Sequence, residues 1–315
     1  MAIQRFAIID IGTVTCRLYV ADVIEGALKK LCQRCTITNL GTQVSSTKRL
    51  SPEALQRVKV CMEEYQSLIN SYREDKVDLT CIAVATSAAR DAENSDELIK
   101  LLEEKDIKLT IISGKQEARF SFIGATASLP AAPVLVIDIG GGSTEIIAGE
   151  AGKEPKQIHS FDIGCRRVTE LFLHSNPISP EQEEKAKSWI KKEMLSYFEA
   201  MKNAGFSPEK IVAVAGTATS IASMDLALEE YDPNRVHQHV VSKETLDKLT
   251  CNLEAMSLED RKKVVGLQPK RAAVIVAGLY ILQVILELAA EYEFMVSESD
   301  SLEGIIWNHL NKADK

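Results

Sequence analysis

Residues 133–150 read PVLVIDIGGGSTEIIAGE, and the way this stretch folds decides the rest. Val134 to Ile137 are apolar and lead to one carboxylate, Asp138. Three glycines (Gly140, Gly141, Gly142), two hydroxyls (Ser143, Thr144) and a second carboxylate, Glu145, follow before the chain turns apolar again. A β-rich run broken by Gly-Gly-Gly and resumed as β is a hairpin with a tight turn. Glycines let the backbone approach a ligand closely and aim successive N–H groups at one point, which makes an anion nest. Asp138 at the strand end and Glu145 beyond the turn offer the oxygen ligands that a hard divalent cation takes.

The pattern occurs twice. Residues 7–20 read AIIDIGTVTCRLYV and residues 135–148 read LVIDIGGGSTEIIA. Superimposed, Asp10 meets Asp138, Gly12 meets Gly140, Thr15 meets Ser143 and Arg17 meets Glu145. Duplication of a strand–Asp–Ile–Gly–turn–strand unit predicts two related halves, each offering a phosphate-gripping hairpin, with a cleft for a phosphorylated ligand where they face.

A chain of 315 residues is expected to form two domains, each large enough for its own core. Thirty-seven basic against 45 acidic side chains give a net charge of −8, so the surface as a whole attracts neither nucleic acid nor an anionic membrane. Any polyanion must be held by a local concentration of positive charge. No secretory signal precedes the first strand. The apolar run 272–290 contains Gln283 and Glu287 and reads as a buried helix rather than a membrane span. Seven scattered cysteines suit a reducing, cytoplasmic setting. Cys32 and Cys35 form a lone C-x-x-C without a second pair at zinc spacing, and His237 and His239 read as part of a polar connector.

In chain order, strands are expected at 6–10, 17–24 and 28–38, then a polar loop to Leu50. A helix capped by Ser51-Pro52 runs to about Tyr72, a strand covers 79–85, and a helix capped by Ser95 covers 96–104. A strand at 109–112 precedes the helix that begins KQEARFSFIGA. The second half repeats the order: hairpin 134–149, strand 157–161, helix 166–174, a Ser179-Pro180-capped helix to about Asn203, and strand 211–215. The rest is mostly helical, with one strand near 294–296 and a last helix to about Leu310. This is a mixed α/β pattern. The expected division is 1–122 and 123–300, with the C-terminal helix of about 301–315 returning to the first domain.

Four further stretches put polar residues at strand ends, where ligands bind in open α/β sheets. Thr86-Ser87 with Arg90 is the first, and the arginine offers a planar fork to phosphate. Glu117 follows Ser113-Gly114 in a first helical turn; it is either a favourable partner of the helix dipole or a base that deprotonates a water. Gly164 with Arg166 and Arg167 is the third. Gly216-Thr217-Ala218-Thr219 opens a helix and suits a phosphate or nucleotide.

The chain resembles the exopolyphosphatase / guanosine pentaphosphate phosphohydrolase (Ppx/GppA) family of the actin–hexokinase–Hsp70 superfamily. The residues that carry the likeness are IIDIGTVTCRL (8–18), VATSAAR (84–90), ISGKQEARF (112–120), VIDIGGGSTE (136–145), GCRRVTE (164–170) and VAGTATSIA (214–222). The resemblance implies two ribonuclease-H-like domains, each with a mixed sheet, and a site in the cleft between them. It implies hydrolysis of the terminal phosphoanhydride of linear, short-chain polyphosphate or of guanosine pentaphosphate. Mg²⁺ is the implied cofactor, with a monovalent cation such as K⁺ as an optional companion, and a homodimer is the implied assembly. By position, Glu117, Arg90 and Glu145 are catalytic. Asp10, Gly12, Thr13, Thr15, Arg17, Gly140, Gly141, Gly142, Ser143, Arg166, Gly216 and Thr217 bind phosphate. Asp138 and Glu145 hold the metal.

Three departures bear on substrate preference: Val14 replaces an asparagine of the first turn, Gln116 replaces the first of two paired glutamates, and Leu302-Glu303-Gly304 lacks an arginine. Two other readings stay open, a phosphotransferase of the same superfamily and a non-catalytic sensor of alarmone or polyphosphate.

Overall fold

The computed structural model describes residues 3–74 and 77–313. The chain divides into two units: Met1–Ser113 with Ile305–Lys315, and Gly114–Gly304.

The first unit is built on β1 (Gln4–Ile11), β2 (Thr15–Ile24) and β3 (Ala27–Ile37), an antiparallel meander, with β4 (Asp78–Ala85) parallel to β1 and β5 (Leu109–Ile111) parallel to β4. The sheet order is β3-β2-β1-β4-β5. Seven consecutive residues of β1 are buried, as a central strand covered on both faces requires, so the apolar Phe6, Ala7, Ile8 and Ile9 follow one another without alternation. The helix Pro52–Ser71 starts at Ser51, whose hydroxyl accepts from Ala54 N at 3.2 Å, with Pro52 in the first turn. Its Leu55, Val58, Met62, Tyr65 and Ile69 recur every three or four residues and pack with Ile9, Leu18 and Val20 of the sheet. Each such aliphatic side chain stabilises the fold by roughly 1.5–3 kcal/mol.

The second unit repeats the scheme. β6 (Pro133–Ile139), β7 (Thr144–Glu150) and β8 (Gln157–Phe161) form the meander, and β9 (Lys210–Val214) runs parallel to β6. β10 (Val240–Ser242) and β11 (Glu293–Val296) extend it to the order β10-β11-β9-β6-β7-β8. The repetition expected from the two Asp-Ile-Gly stretches is therefore a repetition of whole sheets, each mixed. β10 went unpredicted because three residues carry no periodicity. Helix Ser95–Glu103 begins at Asn94 rather than Ser95, and the Asn94 amide clamps Leu50 instead, accepting from its N at 2.8 Å and donating to its O at 3.0 Å. The apolar run 272–290 forms the helix Ile275–Ala289, buried along most of its length against Pro180–Asn203. Among the described residues, no helix is long and apolar enough to cross a membrane.

The division falls between Ser113 and Gly114, ahead of the helix Gly114–Thr126 and not inside it at 122/123. Ala118, Phe122 and Ala125 of that helix join a core with Val134, Val136, Ile147 and Val212, so the helix belongs to the second sheet as a whole. The last helix, Ser301–Ala313, starts in the second unit, and its residues from Ile305 on belong to the first, where the His309 ring meets Phe6 edge-on at 5.5 Å. Residues 314–315 of the expected C-terminal helix lie outside the described residues.

Gly304 allows a close helix crossing. A Cβ built there lies 1.9 Å from Phe120 O, and one on Gly124 lies 1.8 Å from Asp300 O. Neither backbone can yield without moving a helix. Gly304→Ala is expected to destabilise the protein by about 2 kcal/mol, the scale of core overpacking, read from its urea midpoint.

Candidate active site

Both hairpins turn in the same way. Gly12 N donates to Thr15 O at 2.8 Å, and Gly140 N donates to Ser143 O at 3.0 Å. The register then puts residue 10 opposite residue 17 and residue 138 opposite residue 145. Here the halves part. In the first unit Arg17 faces Asp10 and donates two N–H groups to Asp10 Oδ2, at 3.0 Å from Nε and 2.5 Å from Nη2. In the second unit the same two positions are both carboxylates.

Those carboxylates are enclosed. Asp138 is 6% exposed and Glu145 is fully buried. Ser121 donates to Asp138 Oδ2 at 2.5 Å, and Ser160, opposite Glu145 on β8, donates to Glu145 Oε1 at 2.7 Å. Glu145 Oε2 is buried and has no hydrogen-bond partner. Burial holds the Glu145 carboxyl well above the usual carboxylate range, and the nearby charges of Glu117 and Asp138 push it the same way. Glu117 and Ser121 are four residues apart and share one face of the helix Gly114–Thr126, which brings the glutamate to this cluster.

The glycine turn is locked from behind. Helix Cys165–Phe172 begins against it: Cys165 N donates to Gly140 O at 2.9 Å, and Arg166 N and Arg167 N both donate to Gly141 O, at 2.9 and 3.2 Å. Arg167 Nε adds a bond to Gly142 O at 2.9 Å. A Cβ on Gly164 would lie 2.3 Å from Gly141 C, so only glycine permits this approach. The carbonyls of Gly140, Gly141 and Gly142 are thus all engaged by that helix.

Helix Ala215–Asp225 starts one residue before Gly216, with Ala215 at φ 63°, so Gly216 and Thr217 sit inside its first turn at the end of β9. Thr217 is buried, and the Arg271 guanidinium lies directly against Gly216. In the first unit, Gly12, Thr13, Thr15 and Arg17 occupy the hairpin. Arg90, half-buried after β4, donates from Nη1 to Ile112 O at 2.9 Å. Arg166 lies near Glu170 at 3.5 Å. Within the first unit the structure thus groups Asp10, Gly12, Thr13, Thr15 and Arg17 on one hairpin, with Arg90 after the adjacent strand. Within the second it groups Glu117, Asp138, Gly140–Ser143, Glu145 and Arg166 around another, with Gly216 and Thr217 at the end of the adjoining strand β9.

Sequence reasoning did not name Ser121, Ser160 or Arg271 for this site. Ser121 was readable from its i, i+4 spacing to Glu117. Ser160 needs the β7–β8 register, and Arg271 comes from a distant segment.

The seven cysteines are free thiols. His239 Nε2 pairs with Asp225 Oδ2 at 2.6 Å, and His237 Nδ1 accepts from Glu298 N at 3.2 Å. Among the described residues no group of three or more His, Cys, Asp or Glu side chains forms a metal site by itself. Mg²⁺ needs fewer, since it keeps several waters and takes one or two carboxylates plus substrate phosphate. The unpartnered Glu145 oxygen and the mutual repulsion of Glu145, Asp138 and Glu117 fit such an ion.

A carboxyl whose folded pKa is raised above its unfolded value of about 4.3 contributes stability that is complete at low pH and lost as pH rises through the folded value. Glu145→Gln stays neutral throughout. In metal-free buffer it should melt higher than wild type at pH 8, with the gap shrinking at pH 5, and a gap independent of pH would refute the buried-charge assignment.

Comparison with known proteins places these features. The model of the Ppx/GppA phosphatase family matches residues 19–313. Exopolyphosphatase 2 of Mycobacterium tuberculosis is 32% identical over 325 residues, covering 97% of this chain and 98% of that protein. The bifunctional 3-dehydroquinate synthase/phosphatase of Fusobacterium nucleatum is 37% identical over 313 residues; these cover 95% of this chain but 46% of that protein, so the chain spans under half of that relative. Among solved structures, the Ppx/GppA family member of Aquifex aeolicus superposes with a TM-score of 0.82 at 30% identity, covering 99% of both chains.

Proposed function

Because the chain belongs to the Ppx/GppA phosphatase family, we propose that it is an exopolyphosphatase that releases orthophosphate from the end of linear, short-chain polyphosphate. The observation that carries this reading is the enclosed pair of Asp138 and Glu145, with the half-buried Glu117 near them, beside a glycine turn whose carbonyls are tied down. Three carboxylates repel a polyanion, so a cation has to join them before phosphate does. Asp138 and Glu145 would hold Mg²⁺, which supplies charge neutralisation at the phosphoryl oxygens.

The chain's own residues do the rest. The N–H groups of Gly141, Gly142 and Ser143 orient a phosphoryl group, with Arg166 adding a charge-assisted contact. Asp10, Gly12, Thr13, Thr15 and Arg17 of the first hairpin, with Arg90, hold phosphate from the first unit, and Gly216 with Thr217 offers a further contact. Glu117 takes a proton from a water whose oxygen bonds to the terminal phosphorus in line with the breaking P–O bond. The electron pair of that bond leaves with the shortened chain.

Guanosine pentaphosphate is a second substrate of this reading, K⁺ a companion ion, a homodimer its assembly and the cytoplasm its location. The relative named exopolyphosphatase, matched along nearly its whole length, supports the polyphosphate reading.

The test is orthophosphate release with Mg²⁺ from short polyphosphate, long polyphosphate, guanosine pentaphosphate and ATP, with Glu117→Gln alongside. Release from polyphosphate should fall by about 10²–10⁴ in the variant, the scale of general base catalysis. Phosphate transfer to ADP without free orthophosphate would point to a phosphotransferase, and binding without turnover to a sensor. In thermal melts, Mg²⁺ should stabilise the wild type and lose most of that effect in Glu145→Gln.

A further inference from the structure

The end of β4 carries a hydroxyl that the machinery above leaves unused. Ser87 is 3% exposed, and its Oγ has no hydrogen-bond partner. Thr13 Oγ1, on a residue 7% exposed, is in the same condition, as is Asp10 Oδ1. Buried polar atoms without partners are few in native proteins, and a bound ligand or ordered water usually completes them.

The three belong to one corner of the first unit. Asp10 lies beside Val84 in the parallel β1–β4 pair, and Thr86 N donates to Ile11 O at 3.2 Å, so the segments leaving the two strands run side by side. A Cβ built on Gly41 would meet Thr13 Cγ2 at 2.3 Å and Ala88 Cβ at 3.2 Å, so Thr13 and the residue after Ser87 flank the same glycine. The hydroxyls of Thr15 and Thr86 each lie 4.0 Å from the Cβ position of Gly12. The corner is therefore lined by hydroxyl groups around the turn that resembles a phosphate loop.

We propose that Ser87 is a substrate-binding residue, donating its hydroxyl, together with that of Thr13, to a phosphoryl oxygen of the bound phosphate chain. This rests on the reading that the first unit grips phosphate. Phosphoryl oxygens only accept, and both hydroxyls have a proton to give. The carboxylate of Asp10 is offset by Arg17, which holds its other oxygen, and its unpartnered Oδ1 confines an anion to the hydroxyl side of the corner. Burial does not set Ser87 apart from the rest of the machinery, since Asp138 at 6% and Glu145 at 0% exposure are covered to the same degree in the ligand-free chain.

The experiment is calorimetric titration with inorganic tripolyphosphate and Mg²⁺, in a Glu117→Gln parent that blocks turnover, with Ser87→Ala, Ser87→Cys and Arg90→Gln added singly. Ser87→Ala should bind tripolyphosphate about tenfold more weakly, the loss of one hydrogen bond to a charged acceptor. Its ligand-free melting temperature should hold or rise, because an unpartnered buried hydroxyl has gone. Cysteine keeps the volume but donates poorly, so Ser87→Cys should bind as weakly as alanine. Unchanged affinity in Ser87→Ala overturns the proposal, with or without a lower melting temperature; the lower temperature would mark a hydroxyl that holds a structural water. Full affinity in Ser87→Cys also overturns it, since packing then explains the loss in alanine. If Arg90→Gln weakens binding while Ser87→Ala does not, only the Ser87 assignment fails. If neither variant alters affinity, the phosphate-gripping reading of the first unit fails with it.

Discussion

A carboxylate enclosed by protein is costly unless something compensates its charge, and the second unit is arranged around one that lacks full compensation. Glu145 accepts a hydroxyl bond from Ser160 on Oε1 while its Oε2 stays unpartnered, and Glu117 and Asp138 add like charge nearby. Apolar packing on the sheet holds this arrangement in place: Ile146 and Ile147 are fully buried beside it, and Phe122 packs the helix that carries Glu117 and Ser121. The core thus maintains a local electrostatic deficit, which the proposed Mg²⁺ would relieve. Removing the charge should make the ligand-free protein more stable and less able to use the ion, the usual tension between stability and activity at a polar site.

The two hairpins start from the same backbone design and reach opposite electrostatic ends. Each turn closes with a glycine N–H bonded to the carbonyl three residues on. Two cross-strand pairs from the turn, the first unit places an arginine against its aspartate, and the second places a glutamate against its own. One pair is internally neutralised and offers an anion no net repulsion. The other is doubly acidic. The exchange of Arg17 for Glu145 at equivalent positions therefore separates the two hairpins in charge, whatever ligand each takes. The difference is chemical rather than conformational, since the turn bonds differ by only 0.2 Å.

Much of this was legible in the sequence. The Ser-Pro pairs at 51–52 and 179–180 mark helix starts that the structure keeps, and the repeated Asp-Ile-Gly marks both hairpin turns. What the sequence concealed depends on long-range packing. The helix Gly114–Thr126 follows the first half without a break in pattern, and only its burial of Phe122 against Val136 and Val212 shows which sheet owns it. Ser160 reaches Glu145 through strand register, and Arg271 reaches Gly216 across 55 positions of chain, neither of which has a local signature. Asn94 was hidden for the opposite reason, since a residue suited to capping is diverted to clamp Leu50.

The departures from the family pattern can be weighed in the same terms. Gln116 is exposed in the first helical turn, while Glu117 and Ser121 occupy the face that meets Asp138, so its lost charge falls outside the acidic cluster. Leu302 is 2% exposed, with its N–H bonded to Asp300 Oδ1 at 2.9 Å, and it serves the start of the last helix. Val14 is different. It lies inside the first turn, 5% exposed, and its carbonyl accepts from Thr38 N at 3.0 Å and Asn39 N at 2.9 Å, which anchors the turn to the segment after β3. An asparagine amide at this position would add donors to the turn, whereas valine's branched apolar side chain stiffens the turn and donates nothing. The turn keeps its shape by packing, and its side-chain hydrogen-bonding capacity passes to the hydroxyls that border it. Of the three changes, then, only Val14 lies within a glycine hairpin turn, and it alone bears on the proposed phosphate site of the first unit.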